Sequence, residues 1–371
     1  MELVDLSSKY GEFYAPAFSI RLGKSEQSDL VRDLRLAVSQ LEISLSLGMT
    51  SHFSFTVTDC FNFEHHAFEN DRGQDAIEML DFGTKLELHM GYGDAKSIPW
   101  IMSGVVTTIT TSFPETGSPE LVISGQDHAF LLTLGRNART WSKARDSDAV
   151  VNVAADNNLD TQVETTKEQH AQIEQNNESD WAFLKKLADR NHYELYVGER
   201  GVLHFERPKD TTSEILRLKW GEGLLSFKPE ANLAGQITRV EVYGWDRNRK
   251  EPIVGVAQAG EESGLKGQSG GQRLKKFVRD SKKQPTLRLR QPVFTQSEAD
   301  QRAKAALNER AKKFLTGDGE TIGLPDLRPD RKVFLDGLGQ PFSKKYYLQE
   351  VTHKLDSSGY RTRFKVKETG L

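Results

Sequence analysis

Leu41–Leu47 reads LEISLSL, and its alternation is strict: Leu41, Ile43, Leu45 and Leu47 fall on one side, Glu42, Ser44 and Ser46 on the other. Side chains of a β-strand point alternately to opposite faces, so this segment dictates a strand with one buried and one wet face. Phe53, Phe55 and Val57 repeat the pattern against Ser54, Thr56 and Thr58. Segments of this kind belong to antiparallel sheets or barrels, which bury a single face.

The same signal runs through the first third of the chain. Ala17–Leu22 alternates, and Lys85–Met90 follows Phe82-Gly83 and ends in the turn Gly91-Tyr92-Gly93-Asp94. Trp100–Thr111 is a strand with Gly104 inside it, which predicts a bulge or a close backbone approach. Phe113-Pro114-Glu115-Thr116-Gly117 is a turn, and Leu121-Val122-Ile123 leads to Gly125-Gln126-Asp127, where the sheet pattern ends.

The middle is of a different kind. Asp146-Ser147-Asp148 opens a short helix carrying Val150, Val153 and Ala154 on one side and ending at Asn157-Asn158. After the polar stretch Asp160–Gln172 comes Gln175–Val197, the most legible helix-to-strand unit. Asn177 or Ser179 caps the helix, and Glu178 and Asp180 place negative charge at its positive end. Trp181, Leu184, Leu187 and Ala188 share a face opposite Lys185, Lys186, Asp189 and Arg190. A buried Trp181 ring predicts a cost of ~3–5 kcal/mol for Trp181→Ala. Asn191-His192 breaks the helix, Tyr193, Leu195 and Val197 alternate as a strand, and Val202–Phe205 is another.

Strands return at Leu216–Trp220, Leu224–Lys228 and Gln236–Tyr243. Glu261–Gly271 is loop by composition, and a basic run follows it. Thr295–Leu315 is the second clear helix, with Thr295 and Glu298 as a capping box, Gly317 closing it, and the stripe Ala299, Ala303, Ala306, Leu307, Ala311, Phe314. A stripe so rich in alanine predicts close packing on a sheet. The two β regions also resemble each other: Ile109-Thr110, Phe113 and Gly117 recur as Val351-Thr352, Leu355 and Gly359 at the same spacing, after Gly91-Tyr92-Gly93 and Gly337-Leu338-Gly339 respectively. An internal duplication would give two similar barrels per chain, and a trimer would then be a ring of six similar units.

A chain of 371 residues suits two or three domains. The expected organisation is α+β, mostly β: two similar tube-like antiparallel β-barrel domains with a small α/β domain between them. The expected limits are 1–135, 136–210 and 211–371, with a loop-rich insertion at about 246–285 and a helix at about 296–315 in the last. A net charge of -3 argues against a general binder of nucleic acid or anionic membrane. Cys60 is the single cysteine, so no internal disulfide forms, as expected for a reducing compartment. The N-terminal residues have no basic region followed by an apolar run, so no signal peptide is expected, and no stretch approaches the ~18 apolar residues of a membrane span.

Chemistry is sparse. Glu64-His65-His66 is the densest set of metal-ligating types, but adjacent histidines diverge on a strand or helix, and an exposed loop explains them with less. Cys60 after an apolar strand reads as a packed thiol. Asp146 and Asp148 could pair as a diacid, but the helix-cap reading explains them with less. Gly267-Gln268-Ser269-Gly270-Gly271 lacks the Gly-Lys-Ser/Thr of a phosphate loop and reads as linker. Arg273, Lys275, Lys276, Arg279, Lys282, Lys283, Arg288 and Arg290 form a basic run with only Phe277 as an interleaved aromatic, which reads as a solvated or partner-facing edge rather than a base-stacking platform. No catalytic, cofactor or metal site is assigned. So many strands with so little chemistry favour an assembly protein.

Several segments carry a resemblance: Ala15-Pro16-Ala17-Phe18, Phe82-Gly83 to Gly91-Tyr92, Ser103-Gly104-Val105-Val106, and Phe113-Pro114 through Ser124-Gly125-Gln126-Asp127. Gln175 through Leu184, Gly317-Asp318-Gly319 to Gly339, Tyr346-Tyr347 and Val351-Thr352-His353 complete it over most of the chain. In this order they resemble the phage late control gene D protein, the baseplate hub of contractile tails, and the N-terminal hub part of VgrG and of extracellular injection-system spike proteins. The resemblance implies a homotrimer that adapts a three-fold spike to a six-fold inner tube. Implied partners are a spike protein, inner-tube or tube-initiator proteins and other baseplate proteins. It also implies assembly in the bacterial cytoplasm into a virion or contractile particle. VgrG-type chains continue into an OB-fold and a β-helical spike. This one stops at Leu371, so the spike is expected to be a separate polypeptide. Glu261–Lys283 has no counterpart in the family pattern. The competing reading is an enzyme, a peptidoglycan hydrolase associated with a phage tail, with an acidic residue such as Asp146 at its centre.

Overall fold

A computed structural model of the chain describes residues 2–23, 28–208, 216–246, 249–263, 265, 267–279, 284–290, 293 and 295–371. Lys282 and Lys283 of the basic run, Gly264 and Lys266, and the expected boundary at 210/211 lie outside the described residues. Strands hold 48% and helices 19% of the chain, an α+β fold that is mostly β.

After helix α1 (Leu3–Lys9), the alternating segments form six strands: β1 (Pro16–Leu22), β2 (Ala37–Ser46), β3 (His52–Thr58), β4 (Lys85–Tyr92), β5 (Trp100–Ser112) and β6 (Glu120–Asp127). Their spatial order is β1-β4-β5-β6-β3-β2, antiparallel throughout. The inward residues Leu41, Ile43, Phe53, Phe55, Val57, Leu121 and Ile123 make one core. The alternation of β2 fails only at its end, where Ser44 and Ser46 are buried while Leu45 and Leu47 are partly exposed. There the polar face is covered: Ser44 Oγ lies 3.0 Å from Thr352 Oγ1, and the Ser46 N–H donates to Ser51 Oγ at 3.4 Å. Gly104 is the predicted close approach, since an added Cβ would strike the Gln126 carbonyl.

The middle unit comprises β7 (Asn137–Arg145), α2 (Asp146–Asp156), β8 (Thr161–Val163), β9 (Gln169–Glu178), α3 (Asp180–Asn191), β10 (Glu194–Val197) and β11 (Leu203–Glu206). β7 pairs with β9, and β8-β11-β10 form a second small sheet around their own core. Ser179 caps α3 by accepting the Ala182 N–H at 3.2 Å, and His192 ends it in the left-handed region at φ 58°. The predicted stripe needs one correction. Phe183 is fully buried and stacks on Trp141 with ring centroids 5.2 Å apart, whereas Trp181 is only partly buried at the margin. The core approaches α3 from one side of the stripe, and position 183 lies deeper in it than position 181.

The last part contains β12 (Leu216–Trp220) and β13 (Gly223–Ala231), then β14 (Arg239–Asp246), β15 (Glu251–Gln258), α4 (Gly270–Phe277), β16 (Thr286–Arg290) and α5 (Gln296–Ala311), and finally β17 (Leu315–Ile322), β18 (Lys332–Asp336), β19 (Lys344–Asp356) and β20 (Gly359–Glu368). β19-β18-β12-β13-β17-β20 closes on itself through β20–β19 pairing, a six-stranded barrel. Two of its pairings, β12–β13 and β12–β18, are parallel. The barrel core holds Leu218, Leu335, Tyr346, Leu348 and Val366, and α1 delivers Leu6 and Tyr10 into it from the chain start.

The stretch expected as a loop-rich insertion at 246–285 is more ordered than its composition implies. β15-β14-β16 form a sheet, and α5 covers it with Ala299, Ala303 and Leu307 around Val240, Val242 and Ile253. The alanine stripe packs as predicted: a Cβ added at Gly255 would run into the Ala299 backbone. The helix is shorter than expected, because Leu315 already begins β17, and Gly317 lies within that strand against the Phe227 ring rather than closing the helix. Ser269 caps α4, with Gln272 completing a capping box, so the glycines read as linker open a helix.

The duplication appears in the topology. Matching β1–β6 in turn with β12, β13, β17, β18, β19 and β20 reproduces the same spatial order in both units. β5 and β19 carry a register shift at equivalent points, between Val106 and Thr108 and between Leu348 and Glu350. β2 and β13 likewise share one, between Val38 and Gln40 and between Leu224 and Ser226. The units differ at the first strand, since β12 runs parallel to β18 whereas β1 is antiparallel to β4. The two units are joined by β2 and β19, paired from Leu41↔Leu355 to Ser46↔Glu350.

Candidate functional site

Two places concentrate polar side chains. The first is a cleft of about 570 Å³ where the three units meet, lined by Ser51, Trp100, Asp127, Tyr196, Glu199 and Arg328 among others. Asp127 ends β6 with its carboxylate buried, accepting the Ser51 N–H at 2.8 Å and the Ala129 N–H at 3.0 Å. Burial outweighs these bonds and pushes its pKa up to about 6. Arg328 donates to the Trp100 and Ile101 carbonyls and lies over the Trp100 ring, 4.9 Å from its centroid. Burial lowers the pKa of its guanidinium. Behind it His353 is fully buried. Its Nε2 lies 3.2 Å from the Leu327 carbonyl and its Nδ1 2.8 Å from the Tyr360 hydroxyl. A carbonyl can only accept, so Nε2 carries the proton and Nδ1 accepts from Tyr360. Burial, with Arg328 nearby, pushes His353 down to about 3. The backbone bonds of Asp127 tie the β2–β3 turn to the end of β6, and Arg328 ties its loop to β5. Both are joints between elements.

The second place is the outer face of the joined sheet. β5-β6-β3-β2-β19-β20-β17-β13 are eight consecutive strands, each antiparallel to the next. On the first four the outward residues include Ser54, Thr56, Thr108, Thr110 and Ser124. On the last four the charges alternate in sign: Lys365 pairs with Glu350 at 3.0 Å and Arg363 with Glu320 at 3.3 Å. A depression of about 450 Å³ there is lined by Glu42, Lys228, Asp318, Glu320, Arg363 and Lys365 among others. Interleaved charges give a hydrated face without a strong field of either sign.

The sequence candidates do not converge. His65 bonds Glu69 at 3.1 Å and Asn62 at 3.1 Å in an exposed loop, and His66 is exposed beside it. Among the described residues, no group of three or more His, Cys, Asp or Glu is placed to hold a metal. Cys60 is buried and its thiol is pushed up to about 11 by desolvation. Asp148 serves the start of α2 by accepting the Arg145 N–H at 2.8 Å. Asp146 does not: it is buried and paired with Arg190, whose Nε lies 2.8 Å away, and with Asn191 at 2.6 Å. Asp180 accepts bonds from Asn137, Arg139, Gln175 and Asn157 at 2.7–2.9 Å. In the basic run Arg273 donates to the Leu371 carbonyl at 2.9 Å and Arg288 bonds Glu241 at 3.1 Å. Asp127 and His353 figure in the sequence only as parts of strand-end and family-pattern segments, and Arg328 not at all, because nothing local marks residues brought together from such distant positions.

A family model described as the Alg8 N-terminal domain matches residues 66–357. No curated protein matches the sequence. Among solved structures, the fold is shared with a tail protein from Neisseria meningitidis MC58, 14% identical, with 96% of this chain and 97% of that one covered at a TM-score of 0.68. The 43 kDa tail protein of prophage MuSo2 from Shewanella oneidensis is 13% identical over 95% of this chain and 98% of its own, at 0.70. The E. coli c3393 protein, a type VI secretion component with structural similarity to T4 tail proteins gp27 and gp5, is 11% identical over 94% and 76%, at 0.56. No helix among the described residues is long and apolar enough to cross a membrane.

Proposed function

This chain belongs to the family of the Alg8 N-terminal domain, and we propose that it is a structural baseplate hub of a contractile tail or injection particle, without catalytic activity. The observation that carries the reading is the repeated six-stranded unit, joined edge to edge within a fold shared over 95–96% of the chain with phage tail proteins. Two equivalent units per chain make a homotrimer present six, so one ring can seat a three-fold spike on one side and a six-fold inner tube on the other. Its partners in this role are its own copies, a separate spike protein, inner-tube or tube-initiator proteins and other baseplate proteins. It assembles in the bacterial cytoplasm as part of the particle. The middle unit is a lateral domain between the two β units.

The test is the mass of the purified chain by light scattering, with electron microscopy of the chain mixed with the spike and tube proteins encoded beside it. A three-fold ring with a central channel, bound to the spike, is the expected result. A monomer at assembly concentrations that ignores the spike overturns the reading.

A further inference from the structure

Among the described residues, the sheet β15-β14-β16 has a helix on one side only. α5 covers the face that carries Val240, Val242 and Ile253. The opposite face belongs to the alternate residues, and strand pairing arranges them in rungs. Val254, Tyr243 and Arg290 make one rung, and Val256, Glu241 and Arg288 make its neighbour. Pro252 lies beside Trp245 in the rung on the other side. The face is thus aliphatic on β15, aromatic along the end of the central strand β14, and basic on β16. Trp245 is 52% exposed, and Tyr243 and Val254 are exposed with it.

Charge on this face has one sign to spare. Arg239, Arg288 and Arg290 stand against the single carboxylate of Glu241. That carboxylate is already engaged, accepting from Arg239 Nε at 2.8 Å, the Tyr243 hydroxyl at 2.8 Å and Arg288 Nε at 3.1 Å. These bonds hold the arginine heads beside the rings. Arg290 is exposed and has no carboxylate partner among the described residues.

We propose that this face docks an amphipathic helix of a partner protein, with an apolar stripe flanked on one side by carboxylates. The stripe lies on Val254, Tyr243 and Trp245, and the carboxylates meet Arg288 and Arg290, whose planar heads suit them. The size fits: three strands spaced about 4.8 Å apart span roughly 10 Å, the diameter of one helix. α5 covers the inner face of the same sheet in this way. Trp, Tyr and Arg are also the side chains that most often carry binding energy at protein interfaces. A nucleic-acid strand would use the rings and arginines, but it has no use for the aliphatic column and would bring phosphates to Glu241.

The test measures binding of the full chain to each protein encoded beside it, singly, and to single-stranded oligo-dT, by biolayer interferometry at two salt concentrations. One of the proteins should bind, more weakly at high salt, and oligo-dT should not. Trp245→Ala should weaken that binding about thirtyfold or more, as the loss of a central anchor does. Arg288→Glu with Arg290→Glu should abolish it. Phe277→Ala, which removes an 82% exposed aromatic of α4, should leave it unchanged. The altered side chains stand outside the cores, so the variants should melt with the wild type. If Trp245→Ala does not fold, the arginine variant carries the test. A partner whose binding ignores these variants, or no partner at all, overturns the proposal. So does oligo-dT binding that Trp245→Ala removes. The ring reading is judged separately: a trimer that holds the spike while these variants change nothing keeps the hub and loses this face.

Discussion

His353 should make the fold acid-sensitive. Its ring is fully buried, its Nε2–H is committed to the Leu327 carbonyl and its Nδ1 to the Tyr360 hydroxyl. A second ring proton would put charge into a closed site beside the Arg328 guanidinium. The folded value is about 3, against an ordinary value of 6.5. The folded state thus holds the ring neutral while the unfolded chain takes up a proton below about 6.5. The contribution is complete above that pH and is lost as pH falls toward 3. At about 1.4 kcal/mol per unit, the loss is about 2 kcal/mol by pH 5 and approaches about 5 kcal/mol by pH 3. His353→Gln keeps a donor and an acceptor but does not titrate. Urea denaturation of both proteins at pH 7.5 and pH 5 measures the effect as a difference of differences. Asp127 works in the opposite sense, since its raised value favours the folded state at low pH, but it is common to both proteins and cancels. Wild type should lose about 2 kcal/mol more than the variant over this interval. Equal losses would refute the argument and mean that His353 accepts a proton in place.

Phe183→Ala should cost about 3–5 kcal/mol and Trp181→Ala about 1–2 kcal/mol, because only the former empties a closed core position; thermal denaturation of the two variants ranks them. Arg190→Ala strands the buried Asp146 carboxylate and should destabilise by about 3–5 kcal/mol, whereas Lys186→Ala, whose pair with Glu178 is at the surface, should change stability by less than about 1 kcal/mol in the same assay. Gly125→Ala forces a methyl against the Val105 carbonyl and the Phe53 ring, and should cost about 1–3 kcal/mol or prevent soluble expression.

Much of this fold is local and was therefore legible. Period-two patterning located Leu41–Leu47, Phe53–Val57 and Leu121–Ile123 in strands, and Ser179 and Thr295 marked helix starts that the structure keeps. The matched spacing of Ile109-Thr110 and Val351-Thr352 pointed to equivalent strands, and their register shifts occupy equivalent places. Composition misled where it was read alone. Glycines at 267–271 looked like linker, although Ser269 and Gln272 form a capping box that the same sequence displays.

Local pattern marks the apolar strands, most of the faces they bury and the repeat, because these depend on neighbours two to four positions away; the mostly exposed strands Asn137–Arg145 and Gln169–Glu178 carry no such alternation and are missed. Long-range strand pairing is what closes one six-stranded unit and leaves the other to share its β2 edge with β19. Tertiary packing alone buried Ser44 and Ser46 at that joint, passed α1 into the second core, and brought Asp127, Arg328 and His353 to the meeting of the units. Such outcomes depend on which edges meet across three hundred residues, and edges are made of backbone, whose hydrogen-bonding groups are the same in every residue but proline.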